Sequence, residues 1–224
     1  MRAHAKPPRR KWPWILVGII LAALIAYALY AVATNRSESD PTPAPTASES
    51  TPAAAAPTGC LVGGGLDAAT LLQTQKQAAH DSSGAVEVAT ALMRWAYRFP
   101  YPEDQEAQEV SDAIISSEAP ESFRDLAGFF ANGPNLSGGI VADDTDYRLS
   151  TVTGVWVLEA EAPDEVTASI GAVFVVDGQL SASLKASTTI TVRWEEGAWK
   201  ADQLAGTRTT EELFAIGTPF EGGC

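Results

Sequence analysis

The sequence predicts an α+β fold in which helices pack on a curved antiparallel sheet, preceded by a single N-terminal transmembrane helix and a disordered linker. Three observations support this fold class. An uncharged stretch of 20 residues lies near the N-terminus, a stretch rich in Pro, Ala, Ser and Thr follows it, and apolar residues in the remainder recur first at helical and then at alternating spacing. Four segments are therefore expected, at residues 1–13, 14–33, 34–59 and 60–224.

Residues 14–33 carry no charge and, as a helix rising about 1.5 Å per residue, span the roughly 30 Å hydrocarbon core of a bilayer. Residues 1–13 hold five basic residues and no acidic one, which favours a cytoplasmic N-terminus and an extracytoplasmic C-terminal domain. Cleavage after Ala33 is the alternative, because residues 31–33 fit a signal-peptidase pattern. The apolar stretch is longer than the roughly 7–15 residues of a signal peptide, so an uncleaved, single-pass anchor in the cell membrane is favoured.

Residues 34–59 show no apolar periodicity, and their composition cannot bury a core. They are therefore expected to form a disordered spacer, which reaches on the order of 80 Å if fully polyproline-like at about 3.1 Å per residue. The domain that follows is tethered to the membrane at a distance instead of being held against it.

The net charge of −13 combines a basic tail with a strongly acidic domain. From Cys60 onward the chain has 25 acidic and nine basic residues, a net charge of −16. A surface this acidic repels phosphate, so no direct binding of nucleic acid is expected.

The two cysteines, Cys60 and Cys224, bracket the domain. In an oxidising compartment they can pair and join its two ends. Two free thiols are the alternative interpretation, but exposed free thiols at both ends of an exported domain are a liability, so the disulfide is favoured.

Apolar spacing predicts four helices in the first half of the domain. Steps of three and four residues recur, and prolines or an Asn-Gly-Pro-Asn sequence end two of these segments. The predicted helices are residues 66–80, 84–99, 103–116 and about 120–130.

The period then changes to alternation, which predicts four antiparallel strands at residues 147–161, 165–177, 184–195 and 199–204. Each is expected to have one covered and one wetter face. Asp177-Gly178 and Glu196-Gly197 supply turn residues between strands. A capping box from Thr209 to Glu212 predicts a short terminal helix.

The final hairpin, Thr189-Ile-Thr-Val-Arg-Trp-Glu-Glu-Gly-Ala-Trp-Lys200, follows helices and long strands in an order that resembles the nuclear-transport-factor-like, or cystatin-like, cone. The resemblance covers roughly residues 66–206. It implies that the sheet curves around an interior, which in such folds sometimes houses a ligand or an enzyme active site.

Three further segments resemble an uncharacterised family of actinobacterial bitopic membrane proteins associated with conjugative elements. They are Arg94-Trp-Ala-Tyr-Arg-Phe-Pro-Tyr-Pro102, Asn135-Leu-Ser-Gly-Gly139 and Gly206-Thr-Arg-Thr-Thr210. The layout of tail, anchor, linker and cone is also similar to that of assembly factors of type IV secretion systems. These resemblances imply protein partners in an envelope assembly, and a homo-oligomer is compatible with them.

No residue pattern points to catalysis, a metal or a cofactor. His80 is the only histidine of the domain, and a helix-end position favours interaction with the helix dipole over a catalytic triad. Carboxylates on the two clearest strands fall on the polar face or at turns. Glu159 or Glu161, on a less regular strand, can still point inward, which keeps a cone-fold enzyme as a third hypothesis.

The aromatic segment at residues 94–102 is the most distinctive local feature. Trp95 and Phe99, four residues apart, are expected in the core. Core packing is the favoured interpretation of the segment, and the alternative is a partner-binding edge. The candidate partner-binding residues are Arg94, Tyr97, Arg98 and Tyr101.

The sequence therefore predicts a membrane-anchored, extracytoplasmic structural or interaction component, such as one of a conjugation or type IV secretion-like assembly. The alternative is a carrier or sensor of a small ligand. It requires an interior cavity of at least roughly 300 Å³ that Trp156, Phe174 and Trp194 do not fill.

Overall fold

The computed structural model describes residues 55–142, 144–204 and 206–224. The helices in these ranges are α1 (Ala68–Gln77), α2 (Ser82–Ala96), α3 (Asp104–Ile114), α4 (Glu121–Arg124), α5 (Leu126–Ala131) and α6 (Thr210–Ile216). The strands are β1 (Arg98–Phe99), β2 (Tyr147–Ala162), β3 (Glu165–Val176), β4 (Gln179–Glu195), β5 (Ala198–Leu204) and β6 (Thr218–Pro219). The predicted α+β class is confirmed.

The helices begin where their capping residues place them. Asp67 and Asp81 accept hydrogen bonds from backbone N–H groups in the first turns of α1 and α2. The predicted capping box at α6 forms, since the Thr209 and Glu212 side chains each bind the other residue's backbone N–H. The predicted fourth helix is two short helices instead, because Asp125 leaves the helical conformation and caps α5 through Gly128.

All strand pairs of the sheet are antiparallel, in the order β1-β2-β3-β4-β5, with β6 also pairing with β2. The sheet is curled. Register shifts within the β2–β3 pair lie between Ser150 and Val155 and between Leu158 and Ala160. Such bulges bend a strand and increase its twist, which accounts for the curl.

Both predicted hairpin turns are present. Asp177 and Gly178 have φ values of 49° and 77°, and Glu196 and Gly197 have φ values of 53° and 83°. Two consecutive left-handed residues are the geometry of a two-residue turn that matches strand twist. The first hairpin is longer than predicted, since β4 begins at Gln179 instead of residue 184.

The core lies between α2 and one face of the sheet. The predicted inward face of β3 is confirmed, because Val166, Ala168, Ile170, Ala172 and Phe174 are each at most 1% exposed. The opposite face of β3 is drier than predicted. Leu213 and Phe214 of α6 cover it at Gly171, where an added Cβ would lie 2.8 Å from the Phe214 ring.

Ala55 already contacts the domain, since its carbonyl accepts from the Ser83 hydroxyl, and it precedes the boundary that composition predicts at residue 60. Pro57 and Gly59 are buried. The unit Pro52–Cys224 is compact and has its own hydrophobic core, as an independently folding domain requires. The basic tail, the proposed transmembrane helix and residues 34–54 lie outside the described residues. Within the described ranges, no helix is both long and apolar enough to cross a bilayer.

Candidate functional site

The predicted pair of cysteines forms a disulfide. Cys60 and Cys224 are bonded, with their Cα atoms 5.7 Å apart. The Cys224 backbone N–H also donates to the Thr151 hydroxyl at 3.1 Å, and that hydroxyl donates to the Gly59 carbonyl at 2.9 Å. Both ends of the domain are therefore fastened together against β2.

Residues 55–65, which we call the N-terminal strap, are bound by two buried charges on α2. Glu87 is 5% exposed and accepts hydrogen bonds from the backbone N–H groups of Thr58 and Gly59 and from the Thr58 hydroxyl. Arg94, seven residues along the helix, is also 5% exposed and donates to the carbonyls of Gly63 and Gly64. Burial lowers the pKa of Arg94.

The four candidate partner-binding residues have different environments. Arg94 binds the strap and is buried, so it offers no surface to a partner. Arg98 pairs with Glu106 on α3, and the same carboxylate accepts from the Trp95 indole N–H at 2.9 Å. Tyr97 and Tyr101 are half-buried. A partner contact through Tyr97, Arg98 or Tyr101 stays a prediction.

His80 lies beyond the end of α1 and contacts the sheet. Its ring stacks on Trp194, with centroids 4.0 Å apart and planes within 7°, and its Nε2 lies 2.8 Å from the Asp164 carboxylate. Trp199 donates its indole N–H to the Ala79 carbonyl next to it. The histidine therefore fastens the α1–α2 connection to the β2–β3 turn.

Neither Glu159 nor Glu161 points into the interior of the domain. Glu159 accepts two hydrogen bonds from Arg208 and one from Ser169, on the sheet face opposite α2. These donors, Arg208 first, lower the pKa of Glu159. Glu161 is exposed. In the described ranges, no cluster of three or more His, Cys, Asp or Glu side chains is arranged to hold a metal ion.

An apolar cleft of about 360 Å³ lies between the end of α2, the α4–α5 region and the end of β5. One wall comes from α2 and the residue after it, and another comes from α4 and α5, of which α5 packs against α3. The lining residues are Leu92, Trp95, Ala96, Tyr97, Pro120, Ser122, Phe123, Leu126, Phe129, Phe130, Leu136, Gln203 and Leu204.

None of the lining residues carries a charge at pH 7, although the surrounding domain has a net charge of −16. Two of the apolar lining residues, Phe129 and Leu204, are 40% and 56% exposed. Polar atoms are few and come from Tyr97, Ser122 and Gln203. The arrangement can hold an apolar group and orient it with one or two hydrogen bonds.

A small group of phenols lies behind the cleft. Tyr147 is 2% exposed, and burial raises its pKa, with the neighbouring Tyr101 phenol adding to the effect. Burial also raises the pKa of Tyr97, which lines the cleft. Tyr97 and Tyr147 therefore stay protonated at neutral pH and add no charge to the cleft.

Part of the cleft lies in the helix predicted at about residues 120–130. The stripe Phe123, Leu126 and Phe130, at steps of three and four residues, lines the cleft. The signal that pointed further was Phe129, because it lies outside that stripe. Leu204, at the end of β5, reaches the same cleft only through the folding of the sheet.

No protein-family model matches the chain, and neither a curated protein nor a solved structure is significantly similar to it. Functional conclusions therefore rest on the geometry of this chain.

Proposed function

We propose that the chain is a membrane-anchored, extracytoplasmic binding protein that takes the apolar group of a small ligand into the cleft, as a carrier or sensor. The cleft's volume of about 360 Å³, with no charged lining residue, carries this proposal. Ligand sites are mostly apolar pockets of roughly 300–1,000 Å³ with a few polar groups.

The proposed setting is the one that the sequence predicts: a basic cytoplasmic tail, one transmembrane helix and a long linker before the domain. A cystatin-like cone is the proposed fold type, and the curled antiparallel sheet with α2 packed on one face supports it. The cleft lies where helices and sheet meet, the region in which a curled sheet can leave space for a ligand.

Binding of the neutral dye Nile red tests the proposal. The domain Pro52–Cys224, exported to an oxidising compartment so that the disulfide forms, should bind one dye molecule with a saturable rise in fluorescence. Ala96→Trp fills the cleft and should abolish the rise. Leu180→Trp adds the same ring at a residue that is 47% exposed and outside the cleft, and should leave binding unchanged. Equal binding by the three proteins would refute the proposal.

A second candidate is a structural component of an envelope assembly, such as a conjugation or type IV secretion-like machine. The exposure of Phe129 and Leu204 at the cleft favours it, since a small ligand held inside would leave these side chains partly uncovered, and apolar residues of this kind mark protein interfaces. The resemblance to an actinobacterial family associated with conjugative elements supports the same proposal.

Site-specific crosslinking distinguishes this second candidate from the first. A photoreactive residue at Leu204 in the full chain, in native membranes, should give a discrete crosslinked protein. The same residue at Leu180 is the control. Recovery of uncrosslinked chain alone from both positions would count against an assembly role.

A further inference from the structure

The aromatic side chains of the cleft favour a ligand of a particular shape. Trp95 and Phe130 meet edge to face, with centroids 5.5 Å apart and planes at 89°, and Phe129 meets Phe130 in the same way at 5.2 Å and 77°. Trp95 and Phe130 are 1% and 5% exposed, so these contacts form the floor of the cleft, and Phe129, 40% exposed, is the most exposed aromatic ring of its lining. A planar aromatic ligand can stack on this ring or meet it edge-on, contacts that a flexible acyl chain does not make.

The walls also have a preference in charge. Trp95 has its indole N–H engaged by Glu106, and Arg98 neutralises that carboxylate outside the cleft lining. An ionised ligand group would therefore lose water without gaining an oppositely charged partner, which is unfavourable in an apolar site. The cleft selects a neutral ligand.

A single polar group on the ligand has a place to bind. The Gln203 amide and the Ser122 hydroxyl are lining groups, and neither makes a hydrogen bond with another described residue. Tyr97 adds a third hydroxyl. An apolar cavity of about 150 Å³ accepts one benzene ring, so a cleft of about 360 Å³ has room for roughly two rings.

From these observations we infer that the cleft binds a neutral aromatic compound of about two rings that carries one hydroxyl or carbonyl group. This inference rests on the proposed function and specifies its ligand class. The polar group is held by Gln203 or Ser122, and the rings lie against the exposed Phe129 ring of α5.

Isothermal titration calorimetry of Pro52–Cys224 with three compounds tests the ligand class. They are 2-naphthol, its acidic analogue 2-naphthoate, and n-decanol, a flexible neutral chain with as many carbons as 2-naphthol. An aromatic pair is worth roughly 2- to 12-fold in affinity beyond its buried area. We therefore expect 2-naphthol to bind several-fold more tightly than n-decanol, and 2-naphthoate to bind more weakly than 2-naphthol.

Two variants place the binding in the cleft. Gln203→Leu should weaken 2-naphthol binding several-fold and leave n-decanol nearly unchanged if the amide holds the ring hydroxyl. Leu204→Asp puts a charge on a side chain that is 56% exposed, so folding tolerates it, and it should also weaken 2-naphthol. Leu180→Asp is the matched control and should bind 2-naphthol as the unmodified domain does.

The outcomes separate the two proposals. Tighter binding of n-decanol or 2-naphthoate, together with cleft-dependent Nile red binding, would overturn the aromatic, neutral ligand class and leave the binding function standing. Binding of 2-naphthol that Leu204→Asp does not weaken would also overturn the inference. No binding of any compound, with no Nile red signal, would overturn both.

Discussion

Two buried charges on α2, Glu87 and Arg94, are bound by backbone groups of the strap. A buried charge is tolerated only where hydrogen bonds replace its water, and the strap's N–H and C=O groups do this together with the Thr58 hydroxyl. The two residues look like ordinary solvent-facing charges in the sequence. Their role is to complete the fold by holding its first residues.

Glu87→Gln should destabilise the domain by about 1–2 kcal/mol. The amide oxygen still accepts, but hydrogen bonds to a charged acceptor contribute roughly 1.5–3 kcal/mol and neutral ones roughly 0.5–1.5 kcal/mol. Urea unfolding followed by tryptophan fluorescence measures the change. Glu109→Gln, at an exposed position of α3, is the control and should stay within about 0.5 kcal/mol. Equal stability of the two variants would contradict the role of Glu87.

Tyr147 makes stability depend on pH in the alkaline range. Its pKa is raised in the folded state, so above the ordinary tyrosine pKa of about 10 the unfolded chain loses the proton while the folded chain keeps it. The contribution of Tyr147 to the free energy of unfolding is therefore complete below pH 10 and decreases as pH rises further. Urea unfolding between pH 8 and 11 should show a smaller fall in Tyr147→Phe than in the unmodified domain. If the unfolding free energies of the two proteins fell by the same amount over this pH range, Tyr147 would not contribute to the pH dependence.

At the scale of elements, the strap and the C-terminal segment form one structure. The Glu221 N–H donates to the Pro57 carbonyl at 3.1 Å, and Cys224 is bonded to Cys60. The Phe220 ring lies within 2.7 Å of where a Cβ at Gly59 would be placed, so only glycine fits there. The first and last residues of the domain are therefore held together by hydrogen bonds and a disulfide.

Removing the disulfide and removing the strap should have different costs. Cys60→Ser with Cys224→Ser opens a loop of 164 residues, for which chain entropy predicts a loss of at most about 5 kcal/mol. A chain beginning at Leu66 loses the disulfide and also uncovers Glu87 and Arg94, so it should be less stable than the double variant. Urea unfolding of both proteins measures this order. The reverse order would show that the strap adds no stability of its own.

At the scale of the molecule, charge is distributed very unevenly. The described part of the chain belongs to a region with a net charge of −16, while the cleft has no charge at all. Self-repulsion of this size opposes compactness and is screened within about 10 Å at 0.1 M salt. Acidic partners are repelled, and a neutral ligand is the kind that such a surface does not exclude.

Salt should therefore stabilise the domain. If screening reduces the self-repulsion of the folded domain by roughly 1 kcal/mol, Tm rises by about 2–4 °C for a domain of this size. Differential scanning calorimetry of Pro52–Cys224 at 10 mM and 300 mM NaCl measures the change. If Tm falls instead, the ion pairs Arg208–Glu159 and Arg98–Glu106 outweigh the repulsion.

Most of the fold was predictable because it depends on local signals. Apolar spacing located α1 to α3 and the four long strands, and the Asp-Gly and Glu-Gly pairs located two hairpin turns whose geometry needs left-handed residues. The capping box at Thr209 and the pairing of the cysteines followed from residue type and position. The short strands β1 and β6 escaped prediction, since two residues carry no period and pair only because β2 lies beside them.

The sequence by itself determined the class of the fold, the order of its elements and the acidic charge of the domain, because each depends on residues close together in the chain. Only the tertiary structure decided that Arg94 binds the strap, that Glu159 lies on the sheet face opposite α2, and that Phe129 and Leu204 share one cleft. Leu204 lies 75 positions beyond Phe129. Contacts between such distant residues arise from sheet curvature and helix packing, which no local pattern encodes.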